Sequence, residues 1–220
     1  MLESHASLTV RQSVEMLQVF TGLEAKNRYS ILDPGGNELL YAYEESGFWG
    51  RQFLGGHRPL SLKFIDPQGK QELTASLSFF WFFSHLKLQS LQGGVLGRME
   101  RRFKLLGRRF DLFDDKGIVG SIEGPLFRPN TFWVRQGEVD LAKVTKRWSG
   151  VSREVFTSAD TFEVEYIVPT IPESMRWLIL GSAFAIDLDF FESRDRGGLM
   201  GLGGLGGGAI GRGGISGRGF

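Results

Sequence analysis

The 220-residue chain has no cysteine, which excludes a disulfide framework, a thiol nucleophile and thiolate metal sites, and leaves redox chemistry silent about its compartment. Histidine is scarce as well. His5, His57 and His85 are scattered without HExxH spacing or an accompanying carboxylate pattern, which argues against a zinc site. Neither GxSxG nor a P-loop occurs, and with them go the commonest signatures of acyl and phosphoryl transfer. Gly201-Leu-Gly-Gly-Leu-Gly206 spells GxGxxG, but no strand precedes it and too little chain follows to build a nucleotide-binding unit. No catalytic constellation is left, so the chain is not expected to be an enzyme. Charge of one sign is also missing. The 26 Lys and Arg against 25 Asp and Glu leave a net charge of +1, so no specific nucleic-acid partner is expected and an anionic partner must be met by a local patch. Met1 to Glu15 lack the basic n-region and apolar h-region of a signal peptide, so cytoplasmic synthesis without export is the default expectation.

What is present is an apolar interior rich in phenylalanine. The hydrophobic fraction is 41%, with 19 phenylalanines against four tyrosines, and phenylalanine buries much area without needing a hydrogen-bond partner. Four segments repeat one pattern, two alternating stretches around a glycine-based turn. They are Tyr29–Tyr41 around Asp33-Pro-Gly-Gly36, Leu60–Gly69 around Asp66-Pro-Gln-Gly69, Phe110–Gly117 leading to Ile122, and Phe132–Gly137 leading to Val144. Each predicts a β-hairpin, with proline presetting the first central turn position and glycine supplying positive φ at the second. Phe162-Glu-Val-Glu-Tyr166 alternates apolar and acidic residues with period two, as a half-buried strand does. Many short strands with regular turns and no intervening helical pattern predict a mainly β fold, a barrel or sandwich.

One segment departs from that pattern. Met175 to Phe191 is apolar nearly all round, and Pro169 and Pro172 precede it, which predicts a buried helix. As a helix its seventeen residues reach about 25 Å, short of the roughly 30 Å hydrocarbon core of a bilayer. Asp187 and Asp189 add to the cost of spanning. A helix threaded through a barrel, with the aspartates at its exit facing water or backbone amides, satisfies the same pattern. Beyond it the chain is glycine-rich, with thirteen glycines from Gly197 to Phe220, and is expected to be disordered. The division expected is an arm at 1–11, one barrel domain at 12–193 with a helix at about 173–186, and a Gly/Arg-rich tail at 194–220.

Two clusters are candidates for contact with a membrane surface. Phe79, Phe80, Trp81, Phe82 and Phe83 form an unbroken aromatic run, either a strand buried on both faces or, with one face exposed, a patch that dips into a lipid interface. Arg98, Arg101, Arg102, Lys104, Arg108 and Arg109 surround a predicted strand at Phe103–Leu106, either as a solvated barrel face or as a site for lipid phosphates. Strand alternation puts Arg101 and Phe103 on one side and Arg102 and Lys104 on the other, so the cluster cannot all face one way.

The stretch from Lys146 to Phe162, KRWSGVSREVFTSADTF, resembles the phospholipid scramblase segment K-x-W-[ST]-G-x-x-R-E-x-[FY]-T-D-A-D-x-F. Gln18–Glu24 with Asn27–Tyr29 is similar to that family's opening strand, Arg58-Pro59 before Leu60 to its R-P-F-T-L, and Ala185–Glu192 to its closing hydrophobic segment. The resemblance covers about residues 12–193 in one order. It implies a Tubby-like closed barrel of about twelve strands around a central hydrophobic C-terminal helix. It also implies calcium-dependent, energy-independent movement of phospholipids, with phospholipids or a membrane surface as partner at the cytoplasmic face of the plasma membrane. The alternative within the same fold is a soluble lipid- or protein-binding module that scrambles nothing. Positions one, three and twelve of the family's calcium segment, aspartates there, are Ser158, Asp160 and Pro169 here. Calcium would then have to be held by Ser158 and Asp160 with Thr161, Glu163 and Glu165 as substitute donors, although Glu163 and Glu165 also fit the wet face of a strand. The family's cysteine-rich palmitoylation motif aligns with Phe79–Phe83, which offers no thiol to acylate.

Overall fold

A computed structural model of the chain describes residues 2–12, 28–44, 60–80, 83–105, 107–125, 127–128, 130–147 and 161–187. A 3-10 turn at Leu2–Ser4 leads into twelve strands: β1 (Ser7–Gln12), β2 (Arg28–Leu32), β3 (Glu38–Glu44), β4 (Leu60–Ile65), β5 (Gln71–Phe80), β6 (Phe83–Ser90), β7 (Val95–Arg102), β8 (Arg108–Phe113), β9 (Ile118–Gly124), β10 (Thr131–Gln136), β11 (Val139–Arg147) and β12 (Thr161–Tyr166). One α-helix among the described residues, α1 (Glu173–Asp187), follows. Every strand pairs antiparallel with its neighbours in sequence, and β1 pairs with β12, so the sheet closes into a barrel. Closure leaves no unpaired edge among the strands. The all-β expectation and the central helix are both met.

Residues 1–11 are not a separate arm. Ser7–Gln12 form the strand that closes the barrel, with Leu8 and Val10 fully buried and Leu2 in the core. Two apolar positions in six residues are too short a period-two signal to read from sequence.

The four expected hairpins form, and β6–β7 adds another around Gly93. Their turn chemistry differs from the expectation. In Asp33-Pro34-Gly35-Gly36 the positive φ belongs to Gly36, at 83°, one residue beyond the two central positions. Gly36 N–H donates to the Asp33 carbonyl at 3.0 Å, while the Asp33 side chain accepts from Asn37 N–H at 2.8 Å. Asp66-Pro67-Gln68-Gly69 repeats this, with Gly69 at 82°. Register shifts sit where these loops meet β2 and β4, between Ile31 and Leu32 and between Phe64 and Ile65. This is a tight turn followed by a left-handed bulge residue, which suits the right-handed strand twist better than a plain two-residue loop of the same hand.

The interior is filled by α1. Pro172 and Glu173 open it, as fixed φ and a carboxylate in the first turn favour. From Arg176 to Asp187 every residue is buried. Phe184 receives three rings edge-to-face, Tyr29 at 5.0 Å, Phe162 at 5.3 Å and Phe64 at 5.4 Å, which fixes the helix against strands from opposite ends of the chain. On the β6–β7 side the helix approaches closely through glycines. A methyl group at Gly97 would lie 3.0 Å from Leu178, and one at Gly181 would lie 2.9 Å from Leu88. No described helix is long and apolar enough to cross a membrane.

Candidate functional site

The two ends of the barrel are built differently. At one end the strands reverse through short turns, and α1 enters there. The other end, here the open rim, carries the strand ends that flank residues 13–27, 45–59 and 148–160, the longest stretches between strands. α1 runs from the first end to the second. Arg101, Arg102, Arg108 and Arg109, the end of β5, and the start of β6 and of β12 lie at the open rim, whereas Arg98 pairs with Phe113 beside the short turn at the other end.

The aromatic run is not one strand buried on both faces. β5 ends at Phe80, β6 begins at Phe83, and the two residues pair with each other, so the run straddles a chain reversal at the open rim. Trp81 and Phe82 lie outside the described residues, as do the side chains of Phe79, Phe80 and Phe83.

The basic cluster is split by the barrel wall. β7 stops at Arg102, so the expected strand at Phe103–Leu106 does not form, and Phe103 to Leu105 leave the sheet. Arg101 pairs with the fully buried Phe110, and residues directly opposite across strands project to one face, so it points to the interior. Arg108, on the same side, lies with its guanidinium 5.7 Å from the Phe132 ring. Arg98, Arg102 and Arg109 face outward, where they meet carboxylates: Arg98 with Glu100 at 3.1 Å, Arg102 with Asp111 at 2.8 Å, Arg109 with Asp111 at 3.1 Å and with Glu123 at 3.3 Å. Lys104 reaches Glu123 at 3.4 Å. The hydrogen bond that Arg102 donates to the Asp111 carboxylate holds its guanidinium above its ordinary range. Exposed pairs of this kind contribute about 0–1 kcal/mol each, so the ladder does little for stability. Its consequence is electrostatic. The four outward cations, Arg98, Arg102, Lys104 and Arg109, stand against the three carboxylates of Glu100, Asp111 and Glu123.

Asp187, at the exit of α1, is met by a lysine. The Lys146 ammonium lies 2.6 Å from its carboxylate, and both side chains are buried. Lys146 opens the stretch that carries the scramblase resemblance and Asp187 lies in the closing one, so the two most characteristic segments meet at this ion pair.

Of the calcium-like segment, Ser158 and Asp160 lie outside the described residues. Thr161, Glu163 and Glu165 are on the outward face of β12, alternating with buried Phe162, Val164 and Tyr166. Glu163 is held by Arg147, at 3.1 Å from its Nε, and Glu165 by Lys143. Carboxylates already matched to cations, side by side on a strand face, do not fit a calcium cage, and among the described residues no group of three or more His, Asp or Glu could hold a metal ion.

Sequence reasoning missed two features at the opposite end. One is a cavity of about 340 Å³ between α1 and the short turns, lined by Leu96, Val119, Leu141, Val168, Met175 and Leu178, with Asp114 its one titratable group. The other is Arg176, whose guanidinium donates to the carbonyls of Leu2, His5, Pro169 and Ile171 at 2.7–3.3 Å and lies 4.4 Å from the Tyr166 ring. A lone arginine in the first turn of an apolar helix carries no sequence signal of either role.

The family model described as Scramblase matches residues 1–193, the whole barrel and its helix. The chain belongs to the scramblase family. Among curated relatives it is 28% identical to mouse phospholipid scramblase 1 over 200 residues, covering 84% of this chain and 61% of that protein. It is 27% identical to Altered inheritance rate of mitochondria protein 25 of Saccharomyces cerevisiae over 245 residues, 90% of this chain and 75% of that protein. With human phospholipid scramblase family member 5 the identity is 26% over 204 residues, 84% of this chain and 73% of that protein. The scramblase-family chain thus spans about three-fifths of the first of these relatives. No solved structure matches it significantly.

Proposed function

We propose that this scramblase-family protein binds phospholipids at a membrane and moves them between leaflets without energy input. The observation that carries the reading is the family match across residues 1–193, since lipid translocation is the activity in the names of its phospholipid scramblase relatives. The barrel geometry restricts how such movement could work. α1 fills the lumen with side chains such as Ile179, Leu180 and Phe184, all at most 1% exposed, so a lipid headgroup has no path through the barrel and must travel along its outside or its rim. No covalent step is needed, which agrees with a site made of apolar and basic side chains.

A second reading has its own support. Because no described helix is long and apolar enough to cross a membrane, a lipid-binding module that scrambles nothing is consistent with the same barrel. One experiment separates the two. The full chain is reconstituted into liposomes carrying a fluorescent phospholipid, the outer leaflet is chemically bleached, and the protected fraction is followed. Protein-dependent loss of protection establishes scrambling; a protected fraction that stays at its protein-free level, with protein bound, leaves the binding module.

A further inference from the structure

Phe103 and Leu105 follow β7 at the open rim and are 89% and 87% exposed, while Phe127, between β9 and β10 at the same rim, is 93% exposed. This is at odds with how the chain treats phenylalanine elsewhere: Phe64, Phe110, Phe132, Phe162 and Phe184 are each at most 2% exposed. β8 and β9 are adjacent, so the β7–β8 and β9–β10 connections are neighbours on one arc of the rim. On the same side of the barrel the aromatic run reverses between β5 and β6, with β6 next to β7. Cations interleave with these tips: Lys104 stands between Phe103 and Leu105, Arg128 follows Phe127, and Arg102 and Arg109 flank the first connection.

The opposite rim also exposes aliphatic side chains, among them Leu91, Ile118 and Val139, but only between 53% and 63%. Its charge is of the other sign. The turns there carry Asp33, Asp66, Asp114, Asp115 and Glu138 against Lys70 and Lys116. An anionic bilayer therefore attracts one end of the barrel and repels the other.

We propose that the protein docks on anionic phospholipid bilayers through its open rim, with Phe103, Leu105 and Phe127 entering the interface and the surrounding cations meeting lipid phosphates. Aromatic and leucine side chains are the groups that partition to that depth, and basic residues near an anionic leaflet add attraction that salt screens. The inference rests on the phospholipid reading above and gives it a surface and an orientation.

The test is co-sedimentation of the full chain with vesicles of phosphatidylcholine alone and of phosphatidylcholine with phosphatidylserine. Wild type is expected to prefer the anionic vesicles, with binding that falls as salt rises. Phe103→Ser/Leu105→Ser/Phe127→Ser is expected to bind about 100-fold more weakly or worse, from the lost apolar transfer. Lys104→Ala/Arg128→Ala is expected to lose about tenfold on anionic vesicles only. Leu91→Ser/Ile118→Ser, at the opposite rim, is expected to bind like wild type. Because the chain has no cysteine, a fluorophore on Phe127→Cys reports insertion at one position, and a blue shift on binding is expected. If the triple variant binds normally, or the labelled variant binds without a blue shift, rim docking is overturned while the phospholipid reading stands. Loss of binding in the opposite-rim variant overturns the orientation. Wild type that binds neither vesicle overturns both.

Discussion

The Lys146 ammonium lies 2.6 Å from Asp187 Oδ1 in a contact with both side chains under one-tenth exposed, tying the last turn of α1 to β11. A carboxylate at a helix C-terminus faces the negative end of the macrodipole, so Lys146 offsets both an unpaired charge and an unfavourable dipole. Removing the lysine alone takes the neighbouring cation from a buried carboxylate. Lys146→Met is expected to lower unfolding free energy by about 3–5 kcal/mol, and Lys146→Met/Asp187→Leu to recover most of that loss. Urea denaturation of the two single variants and the double variant reads the coupling. A double variant as unstable as the sum of the singles would show that the pair acts independently.

Arg176 closes the other end of the barrel. Its one guanidinium serves four carbonyls from the first turn, from the segment before β1 and from the β12–α1 connection. Replacing it with methionine leaves those acceptors short of donors in a site where Arg176 is 1% exposed, and a loss of at least about 3 kcal/mol is expected. Arg176→Lys should rescue little, because a single ammonium cannot reproduce the planar fork. Full stability in Arg176→Lys, read by thermal unfolding, would mean that charge rather than geometry holds this end.

Gly97 fixes how deeply α1 seats. An added methyl group there would lie 2.9 Å from the Phe113 carbonyl oxygen and 3.0 Å from Leu178, so the backbone of β8 and the helix would both have to yield. Gly97→Ala is expected to cost about 1–3 kcal/mol by overpacking. Gly124→Ala is a useful contrast, since the atoms nearest its methyl group, from 2.7 Å, belong to the Phe132 side chain rather than to backbone, and the smaller cost is expected there. Guanidinium denaturation that ranks the two variants in the reverse order would contradict this reading of the helix seat.

Where the sequence was legible, one periodicity had one physical meaning. Phe162-Glu-Val-Glu-Tyr166 alternates because alternate side chains line the lumen, and Trp177 to Ile186 is apolar nearly all round because every residue of that stretch of α1 is buried. Phe103-Lys-Leu105 alternates too, and there the same pattern misleads: the strand has already ended, and the apolar residues face solvent instead of the core. Nothing local in the sequence marks Arg176 or Lys146 as buried, because a charge's partner, when it lies 41 residues away as Asp187 does or consists of backbone carbonyls, leaves no local trace. The remainder of the scramblase-like motif, from Trp148 to Asp160, lies outside the described residues, so its role was legible only through resemblance.

Two tyrosines make the barrel sensitive to alkali. Burial, with the Glu38 carboxylate beside it, pushes the Tyr41 phenol up to about 12. Burial raises Tyr166 as well, against the opposing pull of Arg176. In the unfolded chain both titrate at about 10, so the folded state holds these protons more tightly. The stability that Tyr41 contributes is fully present below about pH 10 and is lost as pH rises through about 12, and that of Tyr166, raised further, persists beyond it. Phenolate absorbance is expected to lag behind that of free tyrosine and to complete only as the far-UV circular dichroism collapses. Complete phenolate formation with the circular dichroism intact would refute it.

Calcium should be a poor ligand for the described part of its family segment. The ion takes about six to eight oxygen donors, and here Glu163 and Glu165 already neutralise Arg147 and Lys143 on a flat strand face. Binding would have to displace two cations and gather donors that the strand points along one line. Millimolar calcium is therefore expected to leave the thermal midpoint of the wild-type protein unchanged. Lys143→Ala/Arg147→Ala frees both carboxylates and should gain a small, calcium-dependent rise. A rise in wild type of the size expected for a ligand well above its dissociation constant, about 2.7 kcal/mol at a hundredfold excess, would mean that the segment gathers a site despite those ion pairs.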